Sequence, residues 1–147
     1  MKGILKKKIF ILVLIPLLFM GCKNFWHPEG SKKKAGNNKA IAVELRGKWE
    51  LQSIGISGSW YYLPVTIGVN TLYNAGYEYT SDSYAQLENG FIVDQSSGIY
   101  TEGNMFYLSN GLVSALTWQI AGNILTLTNT SNGYIFQYLK TSRFSWE

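Results

Sequence analysis

The chain has 147 residues, of which 46% are hydrophobic and 15% aromatic, and it contains one cysteine and one histidine. A single cysteine excludes an intramolecular disulfide framework and a multi-cysteine zinc site. The formal net charge of +4 resides in the N-terminal segment, so the rest of the chain lacks the basic surface of a nucleic-acid-binding protein.

The first 21 residues have the pattern of a secretory signal peptide. Four lysines among the first eight residues precede an apolar run over 9–18 that only Pro16 interrupts. This run is too short for a membrane-spanning helix, which needs about 20 apolar residues. The segment ends in Phe19-Met20-Gly21-Cys22. Its last two residues match the lipobox of bacterial lipoproteins, whereas Phe19 and Met20 depart from it.

This resemblance implies that residues 1–21 are removed and that Cys22 is acylated, with palmitate among its chains. We therefore expect a protein anchored to a bacterial membrane, at the outer membrane or cell surface rather than at the inner membrane. Because a single acyl chain holds a protein only weakly, stable anchoring needs a multiply acylated cysteine. A non-lipidated signal peptide with a chance cysteine is the alternative.

Residues 22–43 are predicted to form a flexible tether, because they combine low hydrophobicity with no periodicity. Lys32–Lys34 is interpreted as solvated, and contact with anionic lipid head groups is the alternative. His27 has no cysteine or acidic cluster beside it and is interpreted as solvated, so we expect no metal site. Beyond the signal peptide nine basic residues balance nine acidic ones, and from Arg46 onward four basic residues face seven acidic ones. We therefore expect no nucleic-acid partner.

Residues 44–147 are predicted to form one all-β domain of about 100 residues, which is enough for a single core. Alternating polar and apolar residues, rich in aromatic and β-branched types and bounded by Gly and Asn, predict seven to nine strands. A short helix over 109–116 is an alternative for part of this region. The predicted strands are Lys48–Ile54, Trp60–Val69, Thr71–Thr80, Tyr84–Val93, Gly98–Thr101, Met105–Leu108, Leu112–Ala121, Ile124–Asn129 and Tyr134–Lys140.

Two similar hairpins predict the register of the sheet. Gly103-Asn104 and Gly122-Asn123 are each expected to form a two-residue turn, because both residue types tolerate positive φ. The second turn would pair Trp118 with Leu127. The same reasoning predicts a two-residue turn at Asn132-Gly133.

That third turn would pair Leu127 with Tyr138 and bring Lys140 opposite Leu125, as at a barrel mouth or a bulge. The resulting inward-facing residues are Trp49, Trp118, Leu125, Leu127 and Tyr138. Consecutive hairpins with one apolar face predict a small antiparallel up-and-down β-barrel, because closure removes exposed sheet edges.

The ends of this predicted barrel resemble the lipocalin and calycin signature. Gly47-Lys48-Trp49 opens the first strand, and Arg143 follows the last one. In that family a Gly-x-Trp lies at the barrel base and an arginine covers the indole. The resemblance therefore implies a lipocalin-like fold in which Arg143 makes a cation–π contact with Trp49. The domain is shorter than a typical lipocalin and contains no second lipocalin motif.

Catalytic chemistry finds little support in the sequence. Gly55-Ile56-Ser57-Gly58-Ser59 lacks the last glycine of a Gly-x-Ser-x-Gly motif, and the only histidine lies in the tether. Paired-carboxylate hydrolysis needs two acids held at a set separation, and the acidic residues Glu78, Asp82, Glu88 and Asp94 are interpreted as solvated. We therefore predict no catalytic residue, no cofactor and no enzymatic activity.

Aromatic residues are the distinctive surplus, and tyrosine and tryptophan suit binding surfaces. The candidate binding residues are Trp60, Tyr61, Tyr62, Tyr77 and Tyr79, in the segments 57–63 and 77–84. Ordinary surface cover is the alternative. We expect an envelope binding protein that holds a small apolar or glycan ligand in or at the mouth of the barrel. A protein-interaction lipoprotein with a filled barrel, such as an adhesin, an inhibitor or an envelope-complex subunit, is the alternative function.

Overall fold

The computed structural model describes residues 26–28, 39–67 and 69–147. The predicted signal peptide, Cys22 and Lys32–Lys34 lie outside these residues. A 3₁₀ turn, Val43–Leu45, lies just before the long strand that begins at Gly47. The strands are β1 (Trp26–Pro28), β2 (Gly47–Ile56), β3 (Ser59–Tyr62), β4 (Val65–Ile67), β5 (Asn70–Leu72), β6 (Ala75–Tyr79), β7 (Ser83–Glu88), β8 (Phe91–Ser97), β9 (Ile99–Glu102), β10 (Met105–Leu108), β11 (Leu112–Ala121), β12 (Ile124–Asn129) and β13 (Ile135–Thr141).

The main sheet is antiparallel and nearly closed into a barrel, which confirms the predicted all-β class. Its strand order is β8-β7-β6-β2-β13-β12-β11-β10-β9. Strand β3 pairs with the second half of β2, β1 pairs with β11, and β4 and β5 form a separate hairpin. Strand β1 therefore places backbone pairing within the predicted tether.

Strands β8 and β9 run in one direction and bring the two ends of the sheet together. Gly98 separates them with a φ of +70°, a conformation that glycine adopts without a steric penalty. On one side of this kink β8 pairs with β7, and on the other side β9 pairs with β10. The Ile99 N–H donates to the Asp82 carbonyl at 2.9 Å, so the kink turns the chain from one sheet edge to the other.

Residues 39–42 fill the seam that remains. The Ile41 N–H donates to the Ser81 carbonyl at 2.7 Å, and the Thr101 N–H donates to the Ala40 carbonyl at 3.2 Å. The Ile41 side chain is 1% exposed and belongs to the core. Residues 39–42, which the sequence interpretation placed in the tether, therefore pack against the barrel.

The barrel has two ends, which we name by their turns. The lower end carries the turns at 80–82, 103–104 and 122–123. The upper end carries the turns at 57–58 and 89–90 and the loop 130–133. Strand β2 runs from the lower end, where Gly47 is opposite Tyr79, to the upper end, where Gly55 is opposite Trp60.

Both predicted Gly-Asn turns are confirmed. Glu102 is opposite Met105 across the first turn, and Trp118 is opposite Leu127 beyond the second. Gly103 and Gly122 have φ values of +58° and +59°, as a tight turn of this type requires.

The third hairpin differs from the prediction. Leu125 is opposite Tyr138, and Leu127 is opposite Phe136, so the predicted pairing of Leu127 with Tyr138 is wrong. The loop is longer because the Asn129 carbonyl accepts the Gly133 N–H at 2.8 Å inside it. The shift is two residues, which leaves each side chain on its predicted face.

Three predicted strands are interrupted. Asn89-Gly90 divides the predicted strand Tyr84–Val93 into the β7–β8 hairpin, with positive φ at both residues. The region around Leu63-Pro64 separates β3 from β4, and residues 73–74 separate β5 from β6. The alternative helix over 109–116 is absent from this described region, where β11 begins at Leu112.

The predicted inward-facing residues form the core. Trp49 and Leu125 are fully buried, Leu127 and Tyr138 nearly so, and Trp118 is partly buried against them. Burying a large apolar side chain contributes about 1.5–3 kcal/mol each, so this interior accounts for most of the fold's stabilisation.

Candidate functional site

The lower end is organised around Trp49. Its indole Nε1 donates to the Leu45 carbonyl at 2.6 Å. Lys140 Nζ lies 5.0 Å from the Trp49 ring centroid and donates to the Glu44 carbonyl at 3.2 Å. Gly47, two residues before Trp49, has a φ of +113°. The Gly-x-Trp segment therefore closes the barrel base.

Lysine 140 occupies the position expected for Arg143. Lys140 is opposite Trp49 in the β13–β2 pairing, which brings its ammonium over the indole. Arg143 lies beyond the end of β13, is exposed, and donates to the Glu147 backbone oxygen. Lys140, and not Arg143, therefore makes the cation–π contact with Trp49. The predicted position of Lys140 opposite Leu125 is wrong, because the register of this hairpin is shifted by two residues.

Two of the five candidate binding residues lie inside the barrel. Tyr77 and Tyr79 are 8% and 4% exposed, and their rings stack with centroids 5.4 Å apart. Tyr77 also contacts Tyr138 edge-on at 5.6 Å, and Tyr79 stacks on Phe106 at 5.7 Å. Such aromatic pairs contribute about 0.5–1.5 kcal/mol beyond their buried area, so these residues hold the interior together.

A polar chain crosses this aromatic interior. The Tyr77 hydroxyl donates to Gln86 Oε1 at 3.0 Å, and Gln86 Nε2 donates to Glu88 Oε1 at 3.4 Å. Burial raises the pKa of Glu88 from 4.5 to about 7, and the Gln86 hydrogen bond opposes that rise. Burial also raises the pKa of Tyr138 well above its usual value, with smaller contributions from Tyr79 and Glu88.

The other three candidate residues lie on β3 at the upper end. Trp60 and Tyr62 are exposed at 44% and 69%, and both project from the outer face. A Cβ atom on Gly55 would lie 3.2 Å from the Trp60 ring, so the glycine makes room for the indole. Tyr61 is half-buried opposite Ile54. The predicted set is therefore divided between the interior and the upper end.

Further exposed aromatic residues at the upper end were not predicted. Tyr73 is 66% exposed and Phe91 75% exposed. Asn89 connects their two chain segments, because its Oδ1 accepts the Tyr73 N–H at 2.8 Å and its Nδ2 donates to the Thr71 carbonyl at 3.1 Å. The Asn89-Gly90 turn signal, read together with the apolar residues after it, would have indicated this surface.

We call the exposed aromatic surface at the upper end the aromatic rim. Its members are Trp60, Tyr62, Tyr73 and Phe91. Ile92 and Val93 extend it along β8, with exposures of 57% and 42%.

A polar cleft of about 420 Å³ lies near the lower end, on the outer face of β6, β7 and β8. Its lining residues are Glu78, Thr80, Ser83, Tyr84, Ala85, Gln95, Ser96 and Ser97. The sequence interpretation placed Glu78 among solvated acids and gave no signal for a cleft, because these residues come together only through strand pairing.

No protein-family model, curated protein or solved structure matches this chain. The class defined by its geometry is an antiparallel, nearly closed β-barrel. Within residues 26–28, 39–67 and 69–147, no helix is long and apolar enough to cross a membrane. The same part of the chain holds no group of three His, Cys, Asp or Glu residues that fits a metal ion.

Proposed function

We propose that this protein is a lipid-anchored binding protein of the cell envelope that recognises a partner protein through the aromatic rim. The exposure of Trp60, Tyr62, Tyr73 and Phe91 at one end of the barrel carries this proposal. Clustered exposed apolar surface on a small domain is characteristic of interaction sites. Tryptophan and tyrosine are enriched among the residues that dominate binding energy.

The packing of the interior favours an external site. Tyr77, Tyr79 and Tyr138 pack against one another where an apolar ligand would enter a hollow barrel. Barrels of about eight strands have an interior that side chains can fill. A protein-interaction role therefore fits better than an apolar ligand held inside.

The rim is held on a rigid support. Strand β3 pairs with β2 over four residue pairs, from Ser53–Tyr62 to Ile56–Ser59. Asn89 connects the β5–β6 segment to the β7–β8 turn. Side chains held in place before binding lose less conformational entropy when a partner docks, so this support increases the affinity available to the rim.

We further propose kinship with lipocalin-like domains. Gly47 and Trp49 close the barrel base, and a cation from the last strand covers the indole. Lys140 supplies that cation in place of the expected arginine.

Site-specific photo-crosslinking in intact cells tests the rim proposal. A photoreactive phenylalanine analogue at Tyr62 should yield a discrete crosslinked protein that disappears when Trp60 and Tyr73 are both changed to alanine. The same analogue at Leu139, an exposed position near the lower end, is the matched control and should give no such product. Identical products at both positions would contradict the proposal.

The anchor is tested separately. Cys22→Ser should release the protein from the membrane fraction or leave the signal peptide uncleaved, because no other cysteine is present to be acylated. Detergent-phase partitioning of the processed Cys22→Ser protein would rule out lipidation as the anchor.

A further inference from the structure

The polar cleft near the lower end has a geometry that follows from strand register. Glu78 is opposite Ala85, and Ala85 is opposite Gln95, so these three residues form one row across β6, β7 and β8. Ser83 is opposite Ser97 in the next row, and Thr80 faces Ser83 across the turn. Ala85 is the floor of the cleft, because its short side chain lies between two long ones.

The hydroxyl side of the cleft is held in place. Thr80 Oγ1 lies 2.6 Å from Ser83 Oγ and accepts the Ser83 N–H at 3.2 Å. On the opposite face of the sheet, the Tyr84 hydroxyl donates to Asp94 Oδ2 and fixes β7 to β8. A ligand therefore meets polar groups whose positions are already set, which lowers the entropic cost of binding.

The polar groups of the cleft retain hydrogen-bonding capacity. Neither the Glu78 carboxylate nor the Gln95 amide hydrogen-bonds to another residue in the part of the chain that the structure describes. A hydroxyl offers one donor and two acceptor positions, and an amide offers both kinds. Thr80, Ser83 and Ser97 therefore add donors and acceptors around these two side chains.

The chemistry of the lining selects among ligands. Its outward-facing side chains include a carboxylate, an amide and the hydroxyls of Thr80, Ser83 and Ser97, and its lining contains no Lys, Arg or His. A phosphate, sulfate or carboxylate ligand therefore has no cation to bind within the lining. An apolar ligand would leave these polar groups without partners, which costs free energy. A ligand rich in hydroxyl groups satisfies them, and the volume lies within the range of about 300–1,000 Å³ of small-ligand sites.

We propose that this cleft binds a short neutral saccharide on the outer face of β6, β7 and β8. The site is distinct from the aromatic rim. Glu78 is opposite Lys48 on β2, whereas Trp60 is opposite Gly55. Seven residues of strand separate these positions, a distance of about 20 Å. The proposal stands independently of a protein partner at the rim.

Saturation-transfer NMR and calorimetry on the purified full chain, kept in a non-glycosidic detergent, test the proposal. The probes are maltose, cellobiose and N,N′-diacetylchitobiose. At least one should bind with a Kd at or below the millimolar range, equivalent to about −4 kcal/mol. Ala85→Leu fills the floor and should weaken that binding by about tenfold or more. Ala121→Leu, at an exposed strand end, is the matched control and should leave it unchanged.

Gln95→Ala is a second variant, which leaves the floor of the cleft unchanged. It should also weaken saccharide binding, because it removes the exposed amide from the lining. Trp60→Ala with Tyr62→Ala should leave saccharide binding intact. The proposal is overturned if none of the three probes binds, if Ala85→Leu and Gln95→Ala both bind as the unmodified protein does, or if a glucuronic acid disaccharide binds as tightly as the neutral probes.

Discussion

Glu88 should make the stability of this barrel depend on pH. Its carboxyl group is half-buried on the inner face of β7, beside Gln86 and near the buried Tyr138. Burial disfavours the charged form, and the pKa rises from 4.5 to about 7. Between these two values the folded protein binds more protons than the unfolded chain, so stability falls as pH rises through this window and is constant above it.

The magnitude follows from the size of the shift. A rise from 4.5 to about 7 corresponds to about 3.4 kcal/mol at about 1.36 kcal/mol per pH unit. Water still reaches part of this carboxyl and screens its charge, so we expect about 1–2 kcal/mol. In a domain of this size each kcal/mol of stability changes Tm by about 4–8 °C.

Urea unfolding at pH 5 and pH 8, followed by tryptophan fluorescence, measures the effect. Glu88→Gln keeps the side-chain shape without the charge. It should therefore raise the free energy of unfolding by about 1–2 kcal/mol at pH 8 and change it little at pH 5. Glu44→Gln, at an exposed position, is the control for loss of one negative charge. The reasoning is refuted if Glu88→Gln retains the pH dependence of the unmodified protein.

Five further substitutions test the packing. Trp49→Ala should cost about 3–5 kcal/mol in urea unfolding, and an unchanged Tm would remove Trp49 from the core. Gly76→Ala should cost about 1–3 kcal/mol, because its Cβ would lie 2.7 Å from the Trp49 carbonyl oxygen; Gly55→Ala should cost less, since the atoms it meets belong to the exposed Trp60. Lys140→Ala should lower the free energy of unfolding by about 0.5–1 kcal/mol, and Arg143→Ala should lower it by less. The reverse order would assign the cation–π contact to Arg143.

Local patterns predicted the fold well wherever a turn determined the register. Gly103-Asn104 and Gly122-Asn123 form tight turns with the expected pairs, because positive φ at the glycine is a property of the turn itself. Asn132-Gly133 has the same residue types but lies within a longer loop. There Asn129 accepts backbone hydrogen bonds that compete with a two-residue turn. Propensity alone does not decide between these outcomes, because the competing acceptor lies outside the dipeptide.

The candidate site was less predictable because composition does not specify which face a side chain occupies. The run Trp60-Tyr61-Tyr62 and the pair Tyr77 and Tyr79 look alike in the sequence, yet the first has exposed members and the second is buried. The difference arises from partners far along the chain. β2 pairs with β6 over its first half and with β3 over its second half.

That exchange of partners on β2 links the fold to both proposed sites. Near its first residues β2 pairs with β6, where Tyr77 and Tyr79 turn inward and Glu78 turns outward into the polar cleft. Near its last residues β2 pairs with β3, which carries Trp60 and Tyr62 on the outer face. One strand thus supports a hydroxyl-rich surface near one end and an aromatic surface near the other. Since the two surfaces share no residue, their variants should act independently: Ala85→Leu should not change crosslinking at Tyr62, and loss of the rim should not change saccharide binding. Loss of both activities in either variant would show that the barrel had unfolded.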